Sequence, residues 1–462
     1  MRSVYLLFLA LTTSFSVIGQ GSLNVTLLYQ WNDTSLPSSQ AHDNRYNEIW
    51  GLAQGGREYA IIGSTMGTHI FDITDPSNVA PPLFIAGAAF GPSIIHRDYH
   101  DYNGYLYIVC DEDSGLALST LQIVDLQYLP DSSPVVYDSY ALFKNSHNIF
   151  IDTVSARLYV SGVRRLPDPP LPDYERLEIY SLANPLSPVL IGSKDRGRHD
   201  VFVRNDTAYL NDGTAGLFTI DFQTPGNPIT LDTFVSVDTG YNHSGWLSED
   251  GNIYALAEET FGLPVSILDV SDLSNISLLS TISSGIDSLS IAHNLIVREG
   301  FLYVSYYNDG LYIFNIVDPQ NPVLAGYYDT STETHQINKY RGAWGVYPLL
   351  PSGRVLVSDM QNGLYVFDVS NAIGIEDATP GIGLEINVHP NPFMDYLEIS
   401  NIPTGKAIVE IFNAAGQLVL RTEKMSGGGE MRVETKSLAF GLYEIMVKGA
   451  DYEEAFKTVK VK

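Results

Sequence analysis

A chain of 462 residues is longer than one hydrophobic core usually serves, so more than one folded unit is expected. With 45% hydrophobic and 17% charged residues it belongs with globular rather than disordered proteins. Its formal net charge of −27 excludes nucleic acid and an anionic membrane surface as partners, since both demand a basic face.

The chain opens MRSVYLLFLALTTSFSVIGQG, with Arg2 before an apolar run, Val4–Leu11, and small residues leading to Gly19–Gln20. That pattern predicts a cleavable signal peptide over residues 1–19. The apolar run is too short to span a bilayer and no longer one follows, so no transmembrane segment is expected. Cys110 is the single cysteine, which rules out an intrachain disulfide and leaves an exported chain dependent on its core.

Beyond the leader one phrase recurs, an apolar triplet followed by an acid or amide and a Pro- or Asn-containing turn. Its copies are HIFDITDPSNV (His69–Val79), LQIVDLQYLP (Leu121–Pro130), LEIYSLANPLSPV (Leu177–Val189) and LFTIDFQTPGNP (Leu217–Pro228). VSILDVSDLSNIS (Val265–Ser277), LYIFNIVDPQNPV (Leu311–Val323) and LYVFDVSNA (Leu364–Ala372) complete a set of seven. Each is a period-2 strand entering a turn that cannot continue a ladder. A second strand precedes each copy, and a third precedes that one, opened by Trp50, His96, His147, His199, His243, His293 or Trp344. A fourth short strand follows most turns, as in Pro188–Ser193 and Pro322–Tyr328.

Four strands per repeat at this spacing predict the blades of an all-β, seven-bladed β-propeller over residues 20–372. The seventh repeat ends without its fourth strand, while NVTLLYQW (Asn24–Trp31) is a strand with no repeat of its own. The expectation is that this N-terminal strand completes the last blade and closes the ring. Residues 373–383 form a Gly/Pro-punctuated linker, and 384–462 carry short alternating strands expected to form a small Ig-like β-sandwich.

LQIVD at Leu121–Asp125 resembles the LVIVD repeat at all but one position. YNEIWG (Tyr46–Gly51), EYAIIGSTMGTHIFDITDP (Glu58–Pro76), SHNIFID (Ser146–Asp152) and AWGVYPLLPSGRVLVSDMQNGLYVFD (Ala343–Asp368) resemble the bacterial "choice-of-anchor B" family of exported repeat proteins. In the tail, HPNPF, the IFN and GQ of the next strand pair, and GLY near the end resemble the C-terminal sorting domain of type IX secretion. That resemblance implies passage across the outer membrane of a gram-negative bacterium, with the secretion machinery as partner through residues 384–462. The expected location is the cell surface or the medium, reached through the periplasm.

Metalloprotease, nucleophile-elbow, P-loop, EF-hand and CxxC strings are all absent. Instead five of the seven blade-opening positions are histidines, His96, His147, His199, His243 and His293, expected to converge at one mouth of the central channel. Asn148, Asp200, Ser244 and Asn294 follow four of them and could orient an imidazole. For the second blade His100 competes with His96. Chain direction puts the turns after each second strand on the same face, with Asp111, Glu112 and Asp113, Asp212, Glu258 and Glu259, Asp309 and Asp359 as an acidic collar. Imidazole with carboxylate suits a divalent transition metal such as zinc, manganese or iron, and carboxylates alone would suit calcium.

The same features have plain structural explanations. Repeats of shared ancestry repeat their histidines, and Asp-Gly and Asn-Gly are what tight turns prefer. The residues therefore favour a non-enzymatic, exported binding protein for a surface protein, glycan or small ligand, with no cofactor required. The alternative is a metal-dependent hydrolase or lyase built on the histidines and the acidic turns.

Overall fold

The computed structural model describes residues 21–115, 117–165, 176–236, 240–331, 335–337, 339–374, 387–390, 393–402, 405–413, 417–426, 429–449 and 453–461. The expected leader, most of the 373–383 linker and most of the Pro-rich excursion Val163–Arg176 lie outside them. The fold is all-β, and among the described residues the one helix is the four-residue Ser370–Ile373. Two compact units divide the chain, Met1–Glu376 and Asp377–Lys462.

In the first unit the described strands form seven antiparallel sheets, each a meander in chain order apart from the N-terminal strands that join the last two. Their first strands are Tyr46–Gln54, Arg97–Tyr102, Asn148–Asp152, Val201–Arg204, Asn242–Leu247, Ala292–Arg298 and Ala343–Tyr347. Each first strand touches that of the next sheet, and Ala343–Tyr347 touches Tyr46–Gln54, so the contacts run in a cycle. Second and third strands are buried on both faces, as in Arg57–Ser64 and Leu121–Asp125, because neighbouring sheets cover them. That explains their near-continuous apolar sequence. Fourth strands such as Val189–Lys194 are exposed along most of their length.

The recurring phrase has a local cause. Asp72 Oδ1 accepts from the Thr74 amide at 3.1 Å and Asp75 Oδ1 from the Ser77 amide at 3.0 Å; Asp269 and Asp272 repeat this with Ser271 and Ser274. Asn315 and Asp318 do the same with Val317 and Gln320, so in these copies a pair of Asx turns joins the third strand to the fourth. Gly363 shows why glycine precedes the third strand. Its φ is +86°, and a Cβ there would stand 2.1 Å from the Trp31 carbonyl oxygen.

That carbonyl belongs to the N-terminal strand Thr26–Trp31, which pairs antiparallel with Gly363–Asp368 in the last sheet. The sequence did not predict a further short strand, Ser22–Leu23, which adds a fifth member to the sixth sheet beside Tyr327 and Tyr328. Trp31 reaches the first sheet, its indole 4.9 Å from Phe71 and His69 and 5.4 Å from Tyr46.

The second unit has a three-stranded sheet, Asn387–His389, Tyr396–Ile402 and Gly429–Glu434, and a four-stranded one. The latter runs Leu418–Ser426, Gly405–Asn413, Gly441–Lys448, Glu453–Lys460. One apolar cluster includes Leu397, Ile399 and Val433 from the first sheet with Val409, Ile411 and Val447 from the second.

Because Trp31 ties the last sheet to the first, Trp31→Ala should cost about 2–4 kcal/mol of unfolding free energy. Gln30→Ala, at the exposed neighbouring position, should stay within about 0.5 kcal/mol. Denaturant titration of the two variants checks this; equal effects would break the claimed linkage.

Candidate functional site

Along a strand every second side chain faces the same way. On the first strands this alternation stacks the residues lining the central cavities into layers. The middle layer is polar, Glu48, Asp98, Asn148, Asp200, Ser244 and Asn294. Asp98 Oδ2 accepts from the Ile149 amide at 2.7 Å and from Asn148 Nδ2 at 2.9 Å, and Asn148 Oδ1 accepts from the Val201 amide at 3.0 Å. Ser244 Oγ donates to the His293 carbonyl at 2.6 Å, and Asn294 Nδ2 donates to Glu48 Oε2 at 2.6 Å. This layer stitches one sheet to the next.

Two residues further along each strand comes an aromatic layer: Trp50, His100, Phe150, Phe202, Trp246 and Tyr347, with Ile296 in the sixth sheet. Trp50 therefore shares its level with His100 (ring centroids 4.6 Å apart), not with His96 as the sequence spacing suggested. His96 is the second sheet's member of the histidine layer.

On the opposite side of the polar layer the five histidines come together. Ring centroids are 4.5 Å apart for His96 and His147, 4.0 Å for His147 and His199, 4.0 Å for His199 and His243, and 4.3 Å for His243 and His293. Trp344 closes the circle at 4.6 Å from His293 and 5.7 Å from His96. All six line a cavity of about 790 Å³, counting the space open to solvent.

The imidazoles are held in defined orientations. His147 Nδ1 lies 3.0 Å from Asp111 Oδ2, His199 Nδ1 3.0 Å from Asp200 Oδ1, and His293 Nδ1 2.6 Å from the Trp344 carbonyl. An acceptor on Nδ1 fixes the proton there and leaves Nε2 as the lone-pair donor. Nδ1 of His96 and of His243 is buried without a partner.

Burial disfavours charge, and it dominates here. It pushes His96 and His243 well below the ordinary imidazole range, lowers His199 despite Asp200, and takes His293 down to about 3. His147 is the exception. Burial pulls it down too, but the Asp111 hydrogen bond and the charges of Asp111, Asp200 and Asp98 carry it up to about 9. Burial raises Glu112 and Glu259 to about 7 each, with the Asp111 charge adding to the first.

Two groups of ligand atoms lie within 4.8 Å of one another: His147, His199 and Asp200, and His199, His243 and Glu259. His199 is common to both. Imidazole with carboxylate is a donor set for a divalent transition metal, and at His147 the metal would have to displace the proton that the acids around it hold there.

Of the expected acidic collar, Asp111 and Glu112 line this cavity. Glu112 Oε2 accepts from the backbone amides of Ile95 (3.1 Å) and His96 (3.0 Å). Asp212, Glu258, Asp309 and Asp359 do not line it. Asp212 pairs with Arg196 at 2.5 Å, Glu258 accepts from Ser236 Oγ at 2.6 Å, and Asp309 meets His335 Nε2 at 2.7 Å. Asp359 caps its own turn through the Gln361 and Asn362 amides and accepts from Thr330 Oγ1. Asp359 thus fits the preference of tight turns for acids, while the other three are held by neighbouring side chains.

Of the pair Glu258 and Glu259 it is Glu259 that lines the cavity, with Tyr307 Oη donating to it at 2.7 Å. The sequence did not single out Glu48, Asp98 or two further lining residues, His42 and Tyr340. A lone acid inside an apolar strand, as in NEIWG and RDYHDY, was the signal for the first two. Cys110 is buried and its thiol is pushed up to about 11 by burial.

Comparison with known families matches residues 387–462 to a secretion system C-terminal sorting domain and residues 291–330 to an LVIVD repeat. Among solved structures, a periplasmic gluconolactonase of Pseudomonas aeruginosa aligns with TM-score 0.50 at 14% identity, over 84% of this chain and 98% of its own. A Lactobacillus plantarum protein (TM-score 0.48, 13% identity, 84% of this chain and 100% of its own) and a β-propeller domain from Myceliophteria thermophila (0.49, 10%, 74% and 99%) are also similar. No match was found among curated protein sequences. At 14% identity the likeness to the gluconolactonase is one of fold alone, and the fold is a β-propeller. The sorting domain makes the chain a cargo of the type IX secretion machinery, displayed at the cell surface or released. Among the described residues no helix is long and apolar enough to cross a membrane.

Two outcomes are expected. Asp111→Asn should drop the His147 pKa from about 9 towards the lowered values of its neighbours, as read by NMR titration of metal-free protein. The ion pair's stabilisation is complete below about pH 6.5, the free imidazole value, and is lost as pH rises through about 9. Separately, deletion of residues 384–462 should leave the protein in the periplasm; surface delivery of the truncated chain would contradict the sorting role.

Proposed function

We propose that the mature chain is a binding protein outside the cell, a seven-bladed propeller that holds a divalent transition-metal ion in its histidine-lined cavity. Seven sheets whose first strands touch in a cycle support the blade count, and the pairing of Thr26–Trp31 with Gly363–Asp368 supports closure by the N-terminal strand. On this reading residues 1–19 are a leader removed on export, and 384–462 form an Ig-like sandwich that serves delivery. The two sheets of that tail around one core are consistent with it.

The observation that carries the metal assignment is the donor set. His147, His199, His243, Asp200 and Glu259 offer two overlapping three-ligand groups, and His199 belongs to both. The Asp111 contact to His147 Nδ1 is the outer-sphere support that metal-binding histidines usually have. The polar layer beneath joins sheets without the imidazoles of His147, His199 and His243, whereas His293 reaches the Trp344 carbonyl of the next sheet.

Zinc titrated calorimetrically into EDTA-stripped mature protein should bind at one site per chain. His199→Ala should weaken it by at least about tenfold, and Asp309→Asn, outside the cavity, should not. Zinc affinity unchanged in both His199→Ala and His243→Ala would sink the assignment.

A further inference from the structure

The other end of the channel carries a second, chemically different cavity of about 600 Å³, counting the space open to solvent. Its walls are the aromatic layer and its floor is the polar layer. Trp50, Phe150 and Trp246 keep part of their surface exposed, although a mere plug would bury them. Ring centroids of 4.9 Å for Phe150 and Phe202 and 4.8 Å for Phe202 and Trp246 make a continuous aromatic wall.

The floor holds three carboxylates, Glu48, Asp98 and Asp200, and among the described lining residues there is no lysine or arginine. His100 is the one lining group there that could carry positive charge, and burial lowers its pKa. Glu48 and Asp98 accept hydrogen bonds from neutral amides, which satisfy lone pairs without cancelling charge. Aromatic faces attract a cation through the ring quadrupole, and carboxylates behind them add a Coulomb term that a neutral guest would not feel. A bare metal ion finds no ring-nitrogen or carboxylate donors along these walls apart from His100, whereas an alkylated ammonium group presents CH surface to them.

We propose that this aromatic cup binds an organic ammonium cation, its charged nitrogen directed at the Glu48–Asp98–Asp200 floor. The floor is shared with the histidine cavity, but the cup does not require a metal to be bound there.

The test is titration of the full mature chain, with EDTA present, against choline, tetramethylammonium and the neutral choline isostere 3,3-dimethyl-1-butanol, followed by calorimetry and tryptophan fluorescence. Choline should bind saturably and the neutral isostere about tenfold more weakly. Trp246→Leu, which keeps the wall apolar, should weaken choline about tenfold while leaving the isostere little changed. Phe150→Leu should act in the same direction and carries the test if Trp246→Leu fails to fold. His243→Ala, which removes a metal ligand whose imidazole faces Glu259 and not the floor, should leave choline affinity unchanged, and this separates the site from the metal site. An isostere that binds as tightly as choline, no saturable binding of either ammonium probe, or choline binding abolished by His243→Ala would each overturn the proposal.

Discussion

Sheets arranged around an axis share one difficulty, that the first strand of each turns an unpaired edge towards the centre. Its N–H and C=O groups are buried there and must find partners that no further strand can supply. Side chains supply them instead. Asp98 caps the Ile149 amide of the next sheet, Asn148 caps Val201, Ser244 reaches the His293 carbonyl, and Asn294 reaches across to Glu48. The last of these joins the sixth sheet to the first, past the Gly345 of the seventh, where a Cβ would stand 2.1 Å from Glu48 Oε1. This polar belt fixes the level of everything else in the channel. Side chains on one side of it are imidazoles, and on the other they are aromatic rings.

The propeller was legible because strand, turn and closure each left separate marks. Asx turns repeat as Asp-x-Ser/Thr, doubly buried strands repeat as apolar runs, and a fourth strand missing at one end was matched by an orphan at the other. The histidine layer was legible as a repeat but not as a level. His96 stands two residues before its belt residue Asp98, while His147, His199, His243 and His293 stand one before theirs. Register shifts in the first strands of the fifth and sixth sheets, next to His243 and His293, help explain the difference. Trp50 stands two residues after its belt residue Glu48 and His96 two before Asp98, so the spacing of the blade openers could not tell one side of the belt from the other.

The acidic collar was misjudged for a related reason. Asp359 and Asp212 sit where a turn needs an acceptor, and the turn or a nearby arginine takes them. Position in the repeat says which face an acid is on, but only the neighbouring groups decide whether it is free. Glu258 and Glu259 make the point. They are adjacent in sequence, yet one bonds Ser236, just past the last strand of the fourth sheet, and the other lines the cavity beside His243, its Oε2 3.9 Å from Nε2.

What the belt costs electrostatically is the link between the two cation sites proposed at its two sides. Burial raises Glu48 well above the ordinary carboxylate range and Asp98 to about 7, and each feels the other acids of the belt. Without a positive charge nearby, such groups relieve the strain by taking up protons. His147, held up to about 9, is the one imidazole of the layer that brings positive charge near neutrality, and Asp111 already claims it. A cation arriving from either side would let Glu48 and Asp98 ionise, so its binding should release protons. The two ends then select by their walls. Nitrogen and oxygen lone pairs around His199 suit an ion that accepts directed donors, while the faces of Trp50, Phe150 and Trp246 suit a charge dispersed over alkyl groups. One buried belt, needed first to hold the sheets together, would thereby give a single channel the two proposed sites, with the same charge preference and different chemistry.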